Sequence, residues 1–260
     1  MDNRELIALF DQEQRIEIDY PDMRKEVLPH LVRFTRPAPG ANFILWSRLD
    51  EASADAVIAA QVADLKPRGQ KFSWKVYDHD TPPDLKLRLA AHGLVQDEEP
   101  GAVMVLDLQS APAALLAPAA ADVRPITTRA GLQAVVQVMV AVYGGNYDWI
   151  YDRLGSHLEM PGYLSVYAAY AQGQPACAAW IYFHAHSQFA SLWGGSTVEQ
   201  YRRRGLYTAL LATRGQEAVR RGYRFLTIDA SPMSRPIVAR HGFQLLTYAC
   251  DYAWKPKGES

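Results

Sequence analysis

Apolar positions along the chain recur with two alternating periods. Residues 42–49 and 71–77 read as strands, whereas 53–65 and 83–91 repeat their apolar side chains at helical spacing. His92, Gly93 and Leu94 stop the second helix, and another strand is predicted over 102–108. The same order returns near the C-terminus. A strand over 223–228 is followed by a helix over 234–240, the stop His241, Gly242 and Phe243, and a last strand over 245–254. Glycine in each stop suits a helix end that needs a left-handed residue, with the next apolar side chain packing back. Upstream, 189–197 and 205–221 repeat the strand and helix of 42–49 and 53–65. Two copies of one α/β unit account for the pattern.

The copies meet in a stretch rich in alanine and proline, 111–122, where neither helical nor strand periodicity is visible and a linker is expected. The expected domains are therefore 1–110 and 123–260. Charge divides at the same place. Residues 1–110 carry 13 basic and 19 acidic side chains, net −6, and 111–260 carry 14 and 9, net +5, so the total of −1 conceals a dipole. With 260 residues, 49% apolar and 21% charged, the chain has the composition of a protein with a real core. The longest nearly uncharged stretch, 110–121, is broken by Pro112 and Pro118, and no membrane span is expected. The N-terminus lacks a basic region followed by an apolar run, so the expected location is the cytoplasm. Cys177 and Cys250 lie in apolar strands and read as buried thiols; neither a disulfide nor a metal site is expected.

The most informative segment joins the strand ending near Thr197 to the helix beginning near Gly205. Arg202, Arg203 and Arg204 precede that helix, and residues 199–224 contain seven Arg against two Glu. Free N–H groups at a helix start point outward with the positive end of the backbone dipole, so a phosphorylated ligand is the expected partner. Along the helix, Leu206, Tyr207, Leu210, Leu211, Gly215 and Ala218 form the packing face, with Arg214, Glu217, Arg221 and Arg224 opposite. The loop lacks the Lys and Ser/Thr of a Walker sequence and contains no Gly-x-Gly-x-x-Gly, which removes both familiar nucleotide readings. In the first copy the matching junction holds Asp50, Glu51 and Asp55, which suit an unoccupied helix start and repel a diphosphate. One anion site is expected, not two.

Arg202, Arg203, Arg204, Gly205, Leu206 and Tyr207 resemble the loop pattern Gln/Arg-x-x-Gly-x-Gly/Ala of the GCN5-related N-acetyltransferases (GNAT). The resemblance extends over about residues 123–254, and the first half resembles a degenerate copy. It implies a tandem GNAT-like α/β fold with mixed, mostly antiparallel sheets flanked by helices. It also implies that acetyl-CoA is held by Thr197, Val198, Arg202, Arg203, Arg204, Gly205, Leu206, Tyr207, Thr208 and Ser231. Two departures stand out. Tyr207 replaces the last small residue of the pattern, and Val238 stands where many relatives place a proton-donating Tyr.

Acetyl transfer to an amine needs a placed thioester, a base and oxyanion stabilisation. Base and acid candidates are Asp229 at a strand end, His184 and His186 in an expected hairpin turn, and Ser234. Ser231, Tyr248 and Tyr252 are further proton donors in place of Val238. Each also has a plain structural reading, as a helix cap or a turn residue. Tyr143, Tyr147 and Trp149, beside Gly144 and Gly145, are candidates to enclose the acceptor; Trp149 reads equally as the core of a helix beginning at Asp148. The function expected is transfer of acetyl from acetyl-CoA to a primary amine of a small molecule. A protein acetyltransferase and a non-catalytic acyl-CoA sensor are the alternatives. No nucleic-acid or membrane partner is expected, and monomer and homodimer both remain open.

Overall fold

The computed structural model describes residues 1–37, 40, 42–97, 99–117 and 120–255. The N-terminal half begins with α1 (Asn3–Asp11), which runs into a π-helical turn, Gln12–Ile16. Then follow β1 (Arg24–Leu28), β2 (Leu31–Thr35), β3 (Asn42–Ser47), α2 (Ala54–Leu65), β4 (Phe72–Tyr77), α3 (Leu85–Ala91), β5 (Val95–Gln96) and β6 (Gly101–Asp107). The C-terminal half contains α4 (Ala113–Leu116), β7 (Asp122–Ile126), α5 (Gln133–Tyr143), α6 (Trp149–Leu158), β8 (Leu164–Ala171) and β9 (Gln174–Phe183). It ends with β10 (Phe189–Thr197), α7 (Leu206–Arg220), β11 (Phe225–Ala230), α8 (Arg235–Arg240) and β12 (Gln244–Trp254). No helix among the described residues is long and apolar enough to cross a membrane.

The duplicated pattern is visible in the pairing. Each copy has one parallel pair joined through a helix, β3 with β4 across α2 and β10 with β11 across α7, while the other registered pairs are antiparallel. The two helix stops close alike, with Leu94 N–H donating to the Leu89 carbonyl (3.1 Å) and Phe243 N–H to that of Val238 (3.3 Å).

Two compact units result. One holds Met1–Val103, Ala230–Arg235 and Leu245–Ser260; the other holds Met104–Asp229 and Pro236–Gln244. The first has the strand order β1-β2-β3-β4-β12, and the second β6-β11-β10-β9-β8-β7. Most of β12 thus belongs to the first unit, and the division runs through β6, between Val103 and Met104. Cys250 and Tyr252 of β12 accordingly pack in the first unit's core with Ile44, Trp74, Leu85 and Leu89. Residues 113–116, expected to be linker, form α4 instead, and Leu115 is buried. Pro112 fixes the backbone at its start, and its carbonyl accepts from Leu115 N–H.

The first unit encloses a charged knot. Arg15, in the π-helical turn, is fully buried. Its Nε donates to the Leu45 carbonyl (3.1 Å), Nη1 to Asp11 (2.8 Å) and Nη2 to Asp80 (2.8 Å), and the guanidinium lies 3.8 Å from the Tyr77 ring centroid. Removing one member strands the others in a low-dielectric interior. Arg15→Met is expected to lower the unfolding free energy by about 3–5 kcal/mol, the range for breaking a buried ion pair. Urea denaturation followed by circular dichroism checks this.

Candidate active site

The loop before α7 is shaped by two left-handed residues, Arg203 (φ 60°) and Gly205 (φ 78°), the latter being the N-cap. The first helical bond runs from Ala209 N–H to the Gly205 carbonyl (2.9 Å). Among the described residues, the amides of 203–208 donate to no protein group and no side chain caps the helix. Arg202, Arg203, Arg204 and Gly205 are exposed. Arg202 Nε donates to the Thr197 carbonyl (3.3 Å), and Arg204 lies over the Tyr201 ring. Unspent amides, a helix dipole and three exposed guanidinium groups fit a diphosphate. The matching start in the first unit is closed, because Asp50 accepts from both the amide (2.7 Å) and the hydroxyl (2.8 Å) of Ser53. Those bonds hold its carboxyl below the usual carboxylate range.

Next to this loop, β10 and β11 part. Their pairing covers Phe189–Ser191 against Phe225–Thr227 only, although β10 continues to Thr197 and β11 to Ala230. Partner residues project to the same face, so two residues beyond Ser191 and Thr227 the side chains of Trp193 and Asp229 flank one side of the opening. On its other edge β10 pairs with β9, where a register shift between Gly194 and Ser196 marks a bulge at Gly195. Ser196 opposes Ala178 and Trp193 opposes Trp180, so the extra residue returns Ser196 to the face of Trp193. Ser196 Oγ donates to Tyr143 Oη (3.1 Å) on that face, and Tyr147 lies 6.5 Å from Tyr143, ring to ring. Both bulge glycines are required by close approach. A Cβ on Gly194 would sit 2.5 Å from the Trp180 ring, and one on Gly195 would sit 2.8 Å from the Tyr207 ring.

The predicted site residues divide accordingly. The loop residues from Arg202 to Thr208 stand together at the α7 start. Tyr207 is turned inward on Gly195, and burial pushes its phenol pKa up. Thr197 is bound to the Cys177 thiol (3.1 Å), which burial pushes up to about 11, and Val198 is half-buried against Tyr201 and Leu206. Tyr143 (61% exposed) and Tyr147 line the face with Trp193 (49% exposed). Trp149 opens α6 and is exposed, so it is not core. Asp229 is exposed on β11.

His184 opens the expected turn, its carbonyl accepting from Ser187 N–H (3.4 Å), and only its reading as a surface residue is corrected. It is 5% exposed, its Nε2 lies 3.2 Å from Ser191 Oγ, and its ring stacks on Tyr182. His186 lies in that turn, exposed at φ 63°. Ser231 and Ser234 bond to each other (3.2 Å) where α8 begins, and they belong to the first unit with Tyr248 and Tyr252. Val238 is fully buried and offers no proton.

A second correction concerns α7. Arg214 and Glu217, expected opposite the packing face, are both buried. Glu217 accepts from Ser165 Oγ (2.8 Å), Tyr167 Oη (2.7 Å) and Arg221 (2.7 Å). Trp193, Ser196 and the bulge glycines were not singled out from the sequence, although glycine within a strand pattern is itself a signal of a bulge or a close approach.

No protein-family model matches the sequence, and no curated protein matches it. The fold is nevertheless similar to those of solved structures, GCN5-related N-acetyltransferases among them. A GCN5-related N-acetyltransferase from Kribbella flavida superposes with a TM-score of 0.70 at 15% identity, over 97% of this chain and 95% of the other. A conserved protein of unknown function from Staphylococcus epidermidis gives 0.66 at 12% identity, over 91% and 96%. A tandem GNAT protein from the clavulanic acid biosynthesis pathway gives 0.62 at 15% identity, over 96% and 88%.

Two outcomes follow from the loop. An alanine at Gly205 meets no atom within 4 Å but is held at positive φ, so Gly205→Ala is expected to cost about 1–2 kcal/mol, read as a lower urea midpoint. His241 Nε2 lies 3.2 Å from Thr208 Oγ1, and burial lowers its pKa below the ordinary 6.5. The unfolded chain thus takes up this proton first. The contribution is fully present above 6.5 and is lost as the pH falls through the lower folded-state value, so His241→Gln is expected to flatten stability against pH below 6.5.

Proposed function

We propose that the protein is an acyl-CoA-dependent N-acetyltransferase that moves acetyl from acetyl-CoA to a primary amine of a small molecule. The observation that carries this is the start of α7, with unspent amides and exposed Arg202, Arg203 and Arg204 beside the opening between β10 and β11. The amides of 203–208 hold the diphosphate, and the arginines offset its charge. The first half, 1–110, is the degenerate copy whose equivalent helix start is closed by Asp50.

Acetyl-CoA, when bound, supplies the acetyl group as a thioester whose C–S bond breaks as the N–C bond to the amine forms. Asp229, on the same side of the opening as Trp193, attracts the acceptor ammonium and takes one of its protons, leaving the free amine for attack. The second amine proton ends on the departing sulfur. With Val238 in the place of the usual tyrosine, no side chain is assigned to deliver it. Trp193, Tyr143 and Tyr147 wall the acceptor with aromatic faces that favour a cation. The walls come from α5, β10 and the Gly144–Gly145 turn, and a compact amine fits them better than an extended peptide.

Calorimetry with coenzyme A, followed by thiol release from acetyl-CoA across a panel of small amines, tests the reading. Micromolar binding and turnover on at least one amine are expected. Binding with no turnover on any small or peptide amine would instead identify an acyl-CoA sensor, and absence of binding would remove the assignment. Asp229→Asn is expected to lower kcat/KM by about 10²–10⁴, the range for loss of a general base, while leaving coenzyme A affinity unchanged.

A further inference from the structure

The buried side of α7 carries a charge that the reading above does not use. Arg214 is 1% exposed. Its Nε donates to the Leu210 carbonyl one turn earlier (3.1 Å), and its Nη1 donates to the carbonyls of Trp180 (3.1 Å) and Trp193 (3.3 Å). Its Nη2 is buried without a partner, and among the described residues no carboxylate pairs with it. Arginine stays protonated under ordinary conditions, so a full charge is held in the interior by carbonyl dipoles alone. Such an arrangement is costly, and a methionine would fill similar space without the penalty. The bonds to β9 and β10 are what the charge provides.

Their placement is specific. Trp180 and Trp193 are cross-strand partners immediately before the bulge. Two carbonyls that meet at one nitrogen converge, so both point into the seam between β9 and β10. A peptide unit is planar and trans, and its N–H points opposite to its carbonyl. The N–H of Gly194, which shares its peptide with the Trp193 carbonyl, therefore points away from that seam, toward the edge of β10 that β11 leaves after Ser191. Gly194 is exposed there. A charge-assisted bond at one end of a peptide strengthens the donor at its other end.

We infer that Arg214 is a positioning residue whose bond to the Trp193 carbonyl fixes and polarises the Trp193–Gly194 peptide, so that its N–H addresses the thioester carbonyl in the β10–β11 opening. This rests on the acetyltransferase reading, and the test separates the two. Acetyl-CoA labelled with ¹³C at the thioester carbonyl is bound without any amine, and its C=O stretch is read by difference infrared spectroscopy in the wild type and in Arg214→Met. Coenzyme A affinity is measured in parallel by calorimetry.

The wild type is expected to move the stretch to lower wavenumber than in free acetyl-CoA, and Arg214→Met to abolish most of that shift. Coenzyme A affinity should stay within about threefold, because the amides at Gly205 are untouched. A wild type that binds coenzyme A without shifting the carbonyl, or an Arg214→Met protein that retains the full shift, overturns the role of Arg214 and leaves the acetyltransferase reading standing. Failure of the wild type to bind coenzyme A overturns both. Should Arg214→Met not fold, Arg214→Gln decides, since it keeps a donor amide without the charge: a reduced shift supports the inference and a full shift overturns it.

Discussion

A helix that starts without a cap keeps several amides unspent, and the arrangement of the second unit follows from where α7 leaves them. The amides of 203–208 lie at the C-terminal end of β10, where the strand has already parted from β11. A ligand held by its phosphates at that start is therefore brought beside an opening in the sheet. The copy in the first unit shows how little distinguishes an open helix start from an occupied one. There the Asp50 carboxylate takes the Ser53 amide and hydroxyl, so a negative charge already occupies the helix start.

Much of this was legible in the residues, because it depends on local chemistry. Gly205 after three arginines, the paired helix stops at Gly93 and Gly242, and the repeated strand and helix spacing all act within a few positions of themselves. What escaped was set by distant partners. Arg214 and Glu217 fall outside the apolar stripe and were expected on an open face. Yet Arg214 reaches the carbonyls of Trp180 and Trp193, so β9 and β10 cover that side of α7, while Leu116 of α4 packs near Gly215. Glu217 is reached by Ser165 and Tyr167 of β8, a strand fifty residues earlier. His184 looked like part of a turn because His186 follows it. It does open that turn, but the stacked ring of Tyr182 keeps its side chain inside.

The two buried arginines show opposite uses of one side chain. Arg15 is surrounded by Asp11 and Asp80, and its charge is matched where it lies. It joins the π-helical turn to β3 and to the segment after β4. Among the described residues Arg214 meets only carbonyl oxygens, so its unmatched charge is felt along the peptide groups that it binds. The bulge at Gly195 suits this second use, since it loosens the ladder between β9 and β10 at the point where a side chain from α7 takes its place.

The membership of β12 in the first unit constrains how the molecule is made. A chain emerging from the ribosome in sequence order completes α1 to β4 long before residues 244–254 exist, yet β4 finds its antiparallel partner only in them. Until then Trp74 and Ile44 lack the cover of Cys250 and Tyr252. The edge of β4 that β12 covers consequently stays open to chaperones and to misassociation until those residues follow.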